Sequence, residues 1–265
     1  PCICCHNGCF ALSHFKGVGN NGAMADSMHM SRCALNPITM QNHKFDIVPA
    51  KKSKTVAVIG GGVGGIEVAR IATLRGHKVT IYEKTDKLGG VFIAAAQPSF
   101  KEKDRMLIEW YRRQIAKLPI EVKFNTEVND LSKIRADVIV VATGAKPKKL
   151  NIKGFDKTVE AIEYLNEVKP VGERVAIIGG GLTGCEIAYD LLLKGKKPFI
   201  VEYQDDIMKI DNLCMANSSY LRDYFDHANM PIYLNSSVSE IKDGSVVIKN
   251  KDGSTKEVEV DSVIS

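Results

Sequence analysis

The chain has no uninterrupted apolar run long enough to cross a bilayer, so no α-helical membrane span is expected. Aromatic residues are few, 7% with a single tryptophan, and none is interleaved with the basic clusters. Those clusters are Lys51, Lys52 and Lys54; Lys146, Lys148 and Lys149; and Lys194, Lys196 and Lys197. A groove for single-stranded nucleic acid needs both charge and stacking rings. The net charge of +5 therefore reads as a solvated surface, with no nucleic-acid partner. The start, Pro1-Cys-Ile-Cys-Cys, has neither an initiator methionine nor a signal-peptide pattern, and Pro1 is expected to mark a fragment. An even disulfide framework is also lacking: there are seven cysteines, five of them in the first 33 residues. That usage points to a reducing compartment, the cytoplasm.

What is present is a soluble globular composition, 45% hydrophobic and 25% charged over 265 residues, long enough for one large or two ordinary domains. Its most informative stretch is 55–70, where Thr-Val-Ala-Val-Ile runs into Gly60-x-Gly62-x-x-Gly65 and then into helical apolar spacing. In such a turn the first glycine allows the tight bend. The second lets backbone approach a pyrophosphate, and the third lets helix pack on strand. The helix start offers unpaired N–H groups to phosphate. A second strand, 78–83, ends in Glu83, eighteen positions past Gly65, where a ribose hydroxyl needs an acceptor.

A lone glycine turn also serves as a plain strand-to-helix connector. Here it recurs: Arg-Val-Ala-Ile-Ile leads into Gly179-x-Gly181-x-x-Gly184, a helix, and a strand ending in Glu202, again eighteen positions on. Two complete units predict an α/β fold with two Rossmann-like dinucleotide-binding domains behind an irregular Cys-rich segment. The expected boundaries are 1–50 for the Cys-rich segment, 51–150 for the first nucleotide domain and 151–265 for the second. A carboxylate at Glu202 accepts from a 2′-hydroxyl and repels a 2′-phosphate, and Tyr203-Gln204 bring no arginine, so NADH is the expected nucleotide.

The Cys-rich segment carries Cys2-x-x-Cys5-x-x-x-Cys9 and a distant Cys33-Ala-Leu-Asn-Pro. Three close thiolates with a returning fourth suit an iron–sulfur cluster. Zinc, with His6, His14 or His29 as further donors, stays open, as does an unligated or disulfide-closed loop. Cys4 is surplus in either metal scheme. Cys185 and Cys214 read as buried small hydrophobes. The stretch 17–22, Gly-Val-Gly-Asn-Asn-Gly, reads as an inserted flexible loop.

Between the glycine units, Gly89-Gly90 offers another close backbone approach. Ser99 and Glu102 make a capping box, starting a helix with Met106, Leu107, Trp110, Tyr111 and Ile115 on its core face. Residues 121–125 and 137–142 read as strands, the latter running into Thr143-Gly144 at a strand's carboxyl end, where open α/β sheets bind ligands. Beyond Glu202, a helix over 213–228 precedes a meander of hairpins with Asp243-Gly244 and Asp252-Gly253 turns. Asp261-Ser-Val-Ile-Ser265 matches Asp137-Val-Ile-Val-Val141 by position.

The first unit with its glutamate, Gly89-Gly90, Ala142-Thr143-Gly144 and the second unit resemble the two-dinucleotide-domain flavoprotein reductases. Members with a redox dithiol carry two cysteines beside the flavin. The stretch 90–96 here, Gly-Val-Phe-Ile-Ala-Ala-Ala, has none. The Cys-Ala-Leu-Asn-Pro segment ahead of the first unit is similar to the carboxyl-terminal part of multidomain old yellow enzyme family members. These include 2-enoate reductase, 2,4-dienoyl-CoA reductase and trimethylamine dehydrogenase. The first of these is nearest, through Phe100-Lys-Glu-Lys-Asp and Ile108-Glu-Trp-Tyr-Arg-Arg.

The resemblance implies FAD, or ADP in some members, around Gly60, Gly62, Gly65, Glu83, Lys84, Gly90, Ala142, Thr143 and Gly144. It implies NADH around Gly179, Gly181, Gly184 and Glu202, and a [4Fe–4S] cluster on Cys2, Cys5, Cys9 and Cys33, although the gap before Cys33 is longer than the family's. It also implies an FMN-bearing barrel elsewhere in the same polypeptide, where an activated carbon–carbon double bond is reduced. No catalytic residue is expected in this part. A non-catalytic nucleotide-binding or assembly module is the alternative, and a homo-oligomer is left open.

Overall fold

The computed structural model describes residues 2–9, 32–41, 44–210 and 213–265; the 17–22 loop, His14 and His29 lie outside them. The chain divides into two units, Pro1–Cys4 with Gln41–Pro147 and Cys5–Met40 with Lys148–Ser265.

In the first unit, β1 (Thr55–Ile59) is buried from Val56 onward, as expected of a β-branched run between parallel neighbours. α1 (Val63–Leu74) buries Gly65, Ile66 and Ala69, a single face at helical spacing. β2 (Lys78–Tyr82) follows, then the single turn α2 (Phe92–Ala95), α3 (Glu102–Lys117), β3 (Ile120–Lys123) and β4 (Val138–Val141). The strands form one parallel sheet in the order β3-β2-β1-β4.

The entry to α3 differs from the expected capping box. Ser99 lies in a 3-10 turn, and the N-cap is Lys101 with no side-chain cap. Arg105 organises the approach instead, donating to the carbonyls of Ala96, Gln97, Pro98 and Ser99 at 2.6–3.2 Å. A guanidinium presents five N–H groups, so it satisfies a whole turn of carbonyls that one serine cannot. The core face of α3 is Leu107, Ile108, Tyr111 and Ile115. Met106 is exposed, and Trp110 covers the Arg70 guanidinium at 5.5 Å.

In the second unit, the short α4 (Ala161–Leu165) leads to β5 (Arg174–Ile178), α5 (Leu182–Leu193), β6 (Lys197–Val201), α6 (Met215–His227) and β7 (Ile232–Tyr233). Then come β8 (Ser236–Lys242), β9 (Ser245–Asn250), β10 (Thr255–Glu259) and β11 (Ser262–Ile264). A parallel sheet, β11-β5-β6-β7, repeats the first unit's order. The β8-β9-β10 meander is antiparallel, with Gly244 and Gly253 at positive φ in its turns.

Alternation along the strands gives the second sheet two cores. Val175, Ile177, Ile200 and Ile264 face Leu191 of α5 and Leu221 and Phe225 of α6. Ala176, Phe199, Val201 and Val263 face Val238, Ile241, Val246 and Ile248 of the meander. Burial of each Val, Leu, Ile or Phe among them contributes about 1.5–3 kcal/mol.

Both units close in the same way. Asp137, just before β4, accepts from the Thr55 N–H and hydroxyl at 2.7 and 2.8 Å. Asp261, just before β11, accepts from the Arg174 N–H at 2.8 Å and from its guanidinium. These bonds hold both carboxyls below the ordinary range, Asp261 to about 2 through Arg174. The positional match of 261–265 to 137–141 is therefore structural: β11 pairs with β5 as β4 pairs with β1.

Candidate dinucleotide sites

At the carboxyl end of β1 the chain turns through Gly60, at φ +107°. A Cβ there would overlap the Ala142 carbonyl oxygen, and one on Gly65 would overlap the Gly60 carbonyl. Those two glycines are demanded by the protein itself. Gly62 is different. Its backbone, φ −73° and ψ 178°, suits any residue, and the only atom near a Cβ would be the Gly90 Cα at 4.0 Å. Nothing in the unit requires glycine at this point, so the open space fits a group that comes up to the backbone. α1 begins directly after it with no side-chain cap and no acid in its first turn, leaving orphan N–H groups and the positive dipole end for an anion.

Glu83 is 5% exposed and acts as a latch. One carboxylate oxygen accepts the Gly61 N–H at 2.7 Å; the other accepts the N–H and hydroxyl of Thr85, both at 2.8 Å. An ionised carboxylate has about four acceptor sites, so capacity remains for a ribose hydroxyl. Its first work is to hold the glycine loop, a role that spacing alone did not disclose. Gly89 and Gly90 run against that loop: the Gly89 N–H donates to the Gly61 oxygen at 2.8 Å. Gly90 sits at φ +56°, where a Cβ would come within 2.9 Å of the Gly62 Cα. Ala142 and Thr143 lie beside Gly60. Gly144 is at φ +73° with open space around it, and Lys84 is exposed.

The second unit repeats each part at the same sequence offset. Gly179 is at φ +101°, a Cβ on Gly184 would overlap the Gly179 oxygen, and Gly181 has nothing within 4 Å. α5 starts uncapped after Gly181. Glu202, 8% exposed, accepts the Gly180 N–H at 2.5 Å and the Gln204 N–H at 2.7 Å. The Met208 N–H donates to the Gly180 oxygen at 2.6 Å, as Gly89 does to Gly61. Beyond β6 a polar cleft of about 520 Å³ is lined by Tyr203, Gln204, Lys209, Asn235, Lys249 and Lys251 among others. Beneath the loop, the Cys185 thiol contacts the Gly180 oxygen at 3.4 Å, and burial pushes it up to about 12, so it stays protonated.

The cysteines at the start give a different result. None of the seven is disulfide-bonded. The Cys2 sulfur accepts the Cys4 N–H at 3.1 Å. The Arg32 N–H donates to the Gly8 oxygen at 2.5 Å, which sets the backbone before Cys9 beside that before Cys33. Yet among the described residues no three Cys, His, Asp or Glu side chains gather as a metal site. His6 pairs with the Asn217 side chain at 3.2 Å, and Asn217 also donates to the Cys5 carbonyl at 3.1 Å.

A profile of the pyridine nucleotide-disulphide oxidoreductases matches residues 16–133 and 121–265. The chain belongs to that family. It is 37% identical over its whole length to cinnamate reductase of Clostridium sporogenes, covering 38% of that protein. It is 32% identical over 78% of its length to NADH oxidase of Thermoanaerobacter brockii, covering 31% of it. Among solved structures, 2-naphthoyl-CoA reductase in complex with 2-naphthoyl-CoA superposes with a TM-score of 0.85 at 30% identity, over 99% of this chain and 39% of that one. The chain thus spans less than two-fifths of each of these relatives.

These findings make the chain a member of the pyridine nucleotide-disulphide oxidoreductase family with the two-dinucleotide-domain fold, similar over its length to part of larger reductases. No helix among the described residues is long and apolar enough to cross a membrane.

Proposed function

We propose that the first unit binds FAD and the second NADH, and that the chain delivers reducing equivalents from NADH to a flavin. The observation that carries this is the second glycine of each turn, Gly62 and Gly181, open at an uncapped helix start while the third, Gly65 or Gly184, is packed against a backbone carbonyl. When bound, the nicotinamide supplies a hydride and the flavin accepts it, and a reduced flavin can give up its electrons singly.

The chain's own residues bind and orient. Backbone N–H groups from Gly62 and Gly181 onward take the pyrophosphates. Glu83 and Glu202 hold the glycine loops and turn their remaining lone pairs to ribose hydroxyls. Gly89 and Gly90 keep the floor of the first site to bare backbone. The negative charge of Glu202 disfavours a 2′-phosphate, and a relative named NADH oxidase supports the same nucleotide. The stretch 90–96 holds no cysteine, so dithiol chemistry has no group to perform it.

Within the same reading, Cys2, Cys5, Cys9 and Cys33 hold a [4Fe–4S] cluster once iron and sulfide are supplied. Electrons leave for FMN on a barrel of the same polypeptide, outside this chain. Relatives named for cinnamate and 2-naphthoyl-CoA, both unsaturated acid derivatives, support reduction of an activated double bond there.

The test is spectroscopic. Full-length protein, prepared anaerobically, is expected to be yellow-brown, to contain iron and sulfide, and to bleach with NADH at far lower concentrations than with NADPH. A colourless protein that binds ADP but no flavin overturns the redox reading in favour of a nucleotide-binding module. A preference for NADPH overturns the role given to Glu202.

A further inference from the structure

Two arginines outside the glycine turns form a matched pair. Arg112, on α3, donates both Nε and Nη2 to the Leu88 carbonyl at 3.0 and 2.8 Å and pairs through Nη1 with the Glu109 carboxylate at 2.6 Å. Arg222, on α6, donates Nη2 to the Ile207 carbonyl at 2.6 Å and engages the Asp206 carboxylate at 2.6 and 3.0 Å. Leu88 and Ile207 are equivalent residues, and each is the first side chain that a Cβ on Gly61 or Gly180 would meet, at 2.6 and 2.8 Å. Both are buried, at 5% and 3% exposure.

The bonds continue from there through single peptide groups. The peptide whose carbonyl Arg112 holds is the one whose N–H, on Gly89, donates to the Gly61 carbonyl. The Gly61 carbonyl in turn shares its peptide group with the N–H of Gly62, at the mouth of the open cradle. In the second unit the order is Arg222, the Ile207–Met208 peptide and the Gly180–Gly181 peptide. Donor and acceptor alternate without a break, and such chains polarise their members cooperatively. A guanidinium at one end stays charged at any working pH.

We infer that Arg112 and Arg222 are positioning residues for the two dinucleotides, each fixing and polarising, through two peptide groups, the N–H that meets the pyrophosphate. This rests on the reading that each unit holds a dinucleotide. Neither arginine touches the cradle, and the two stand at different offsets from their glycine turns, so motif spacing does not reveal them.

The experiment compares R112A, R112K, R222A and R222K in the full-length protein. With cofactors stripped, amide exchange at Gly89 is expected to quicken about 10- to 100-fold in R112A, and at Met208 in R222A, each leaving the other amide unchanged. With cofactors, R112A loses flavin affinity by a like factor at unchanged KM for NADH. R222A raises the KM for NADH while kcat holds. The lysine variants keep part of each property, and millimolar guanidinium restores part of it to the alanine variants. Unchanged exchange at both amides overturns the inference. So does a lower melting temperature with cofactor affinities intact, because the arginines would then be structural only. Wild-type protein that takes up neither flavin nor nicotinamide nucleotide overturns the dinucleotide reading and removes the anion from this inference. Wild-type protein that binds both, beside variants that bind them equally well, overturns the inference alone.

Discussion

Superimposing the logic of the two units, rather than their coordinates, separates what a dinucleotide cradle requires from what it tolerates. The glutamate latch, the open second glycine, the uncapped helix and the aspartate that ties the first strand to the last are common to both. Three places differ. The first unit lays Gly89-Gly90 against its loop where the second has Met208-Lys209, with Met208 held at φ +50° and buried. Gly60 is closed in by Ala142, while Gly179 has nothing within 4 Å. The crossover into the last strand is a short loop with one 3-10 turn in the first unit and a three-stranded meander in the second. On the proposed reading, the parts that face the pyrophosphate are repeated and the parts past it vary. A bare-backbone floor suits a ligand that continues beyond the phosphates, as a flavin does.

The largest effects should come from glycines that the protein itself needs. Gly65→Val or Gly184→Val drives a side chain into a backbone carbonyl and should cost about 3 kcal/mol or more. A drop of many degrees in melting temperature, or loss of expression, checks this. Gly62→Val and Gly181→Val break the comparison differently. Each should fold with a melting temperature near wild type, yet lose flavin and nicotinamide nucleotide respectively by at least about tenfold, an overpacking cost of roughly 1–3 kcal/mol applied to the ligand. If either instead unfolds its unit, the space at that glycine is not a ligand's.

The latches come next. Glu83→Gln and Glu202→Gln each weaken charge-assisted bonds worth about 1.5–3 kcal/mol and should loosen only their own unit, seen as faster amide exchange at Gly61 or Gly180. Glu202→Gln also sharpens the nucleotide question. If holding the loop dominates, affinity for NADH and NADPH falls together; if ribose recognition dominates, NADPH alone improves.

The smallest effect is acid sensitivity. Asp261, near 2 when folded against about 3.9 when unfolded, has a depressed folded pKa. Its stabilising contribution is therefore complete above about pH 4 and is lost as pH falls toward 2. Asp137 is depressed in the same direction. Acid unfolding profiles of Asp137→Asn and Asp261→Asn should each be flatter than wild type over that interval.

Both sheets and the place of both cradles were legible because their signals are local. An apolar strand, a glycine turn, amphipathic spacing and a terminal acid occur within about thirty residues. The meander was legible through its Asp-Gly turns. The start of α3 was not, because Arg105 settles it by reaching back over 96–99, and residues that compete to cap a helix cannot be ranked without the geometry. Met106 was misplaced for a related reason: with Leu107 and Ile108 adjacent, periodicity alone leaves the edge of the face uncertain by one residue. The Cys-rich segment reads as a ligand set, yet among the described residues no three such donors gather, because sequence spacing does not fix where side chains of an irregular segment point.

The aspartate ties span 82 residues in one unit and 87 in the other, and both lie at the amino ends of their parallel strands. The cradles lie at the opposite ends. Each sheet is thus fastened at both ends: at its base by an aspartate, and at its tips by the glutamate latch and by bonds such as Gly60 N–H to the Tyr82 carbonyl and Gly179 N–H to the Val201 carbonyl, at 2.8 and 2.9 Å. A cofactor therefore meets strand ends already held in register rather than ones it has to arrange.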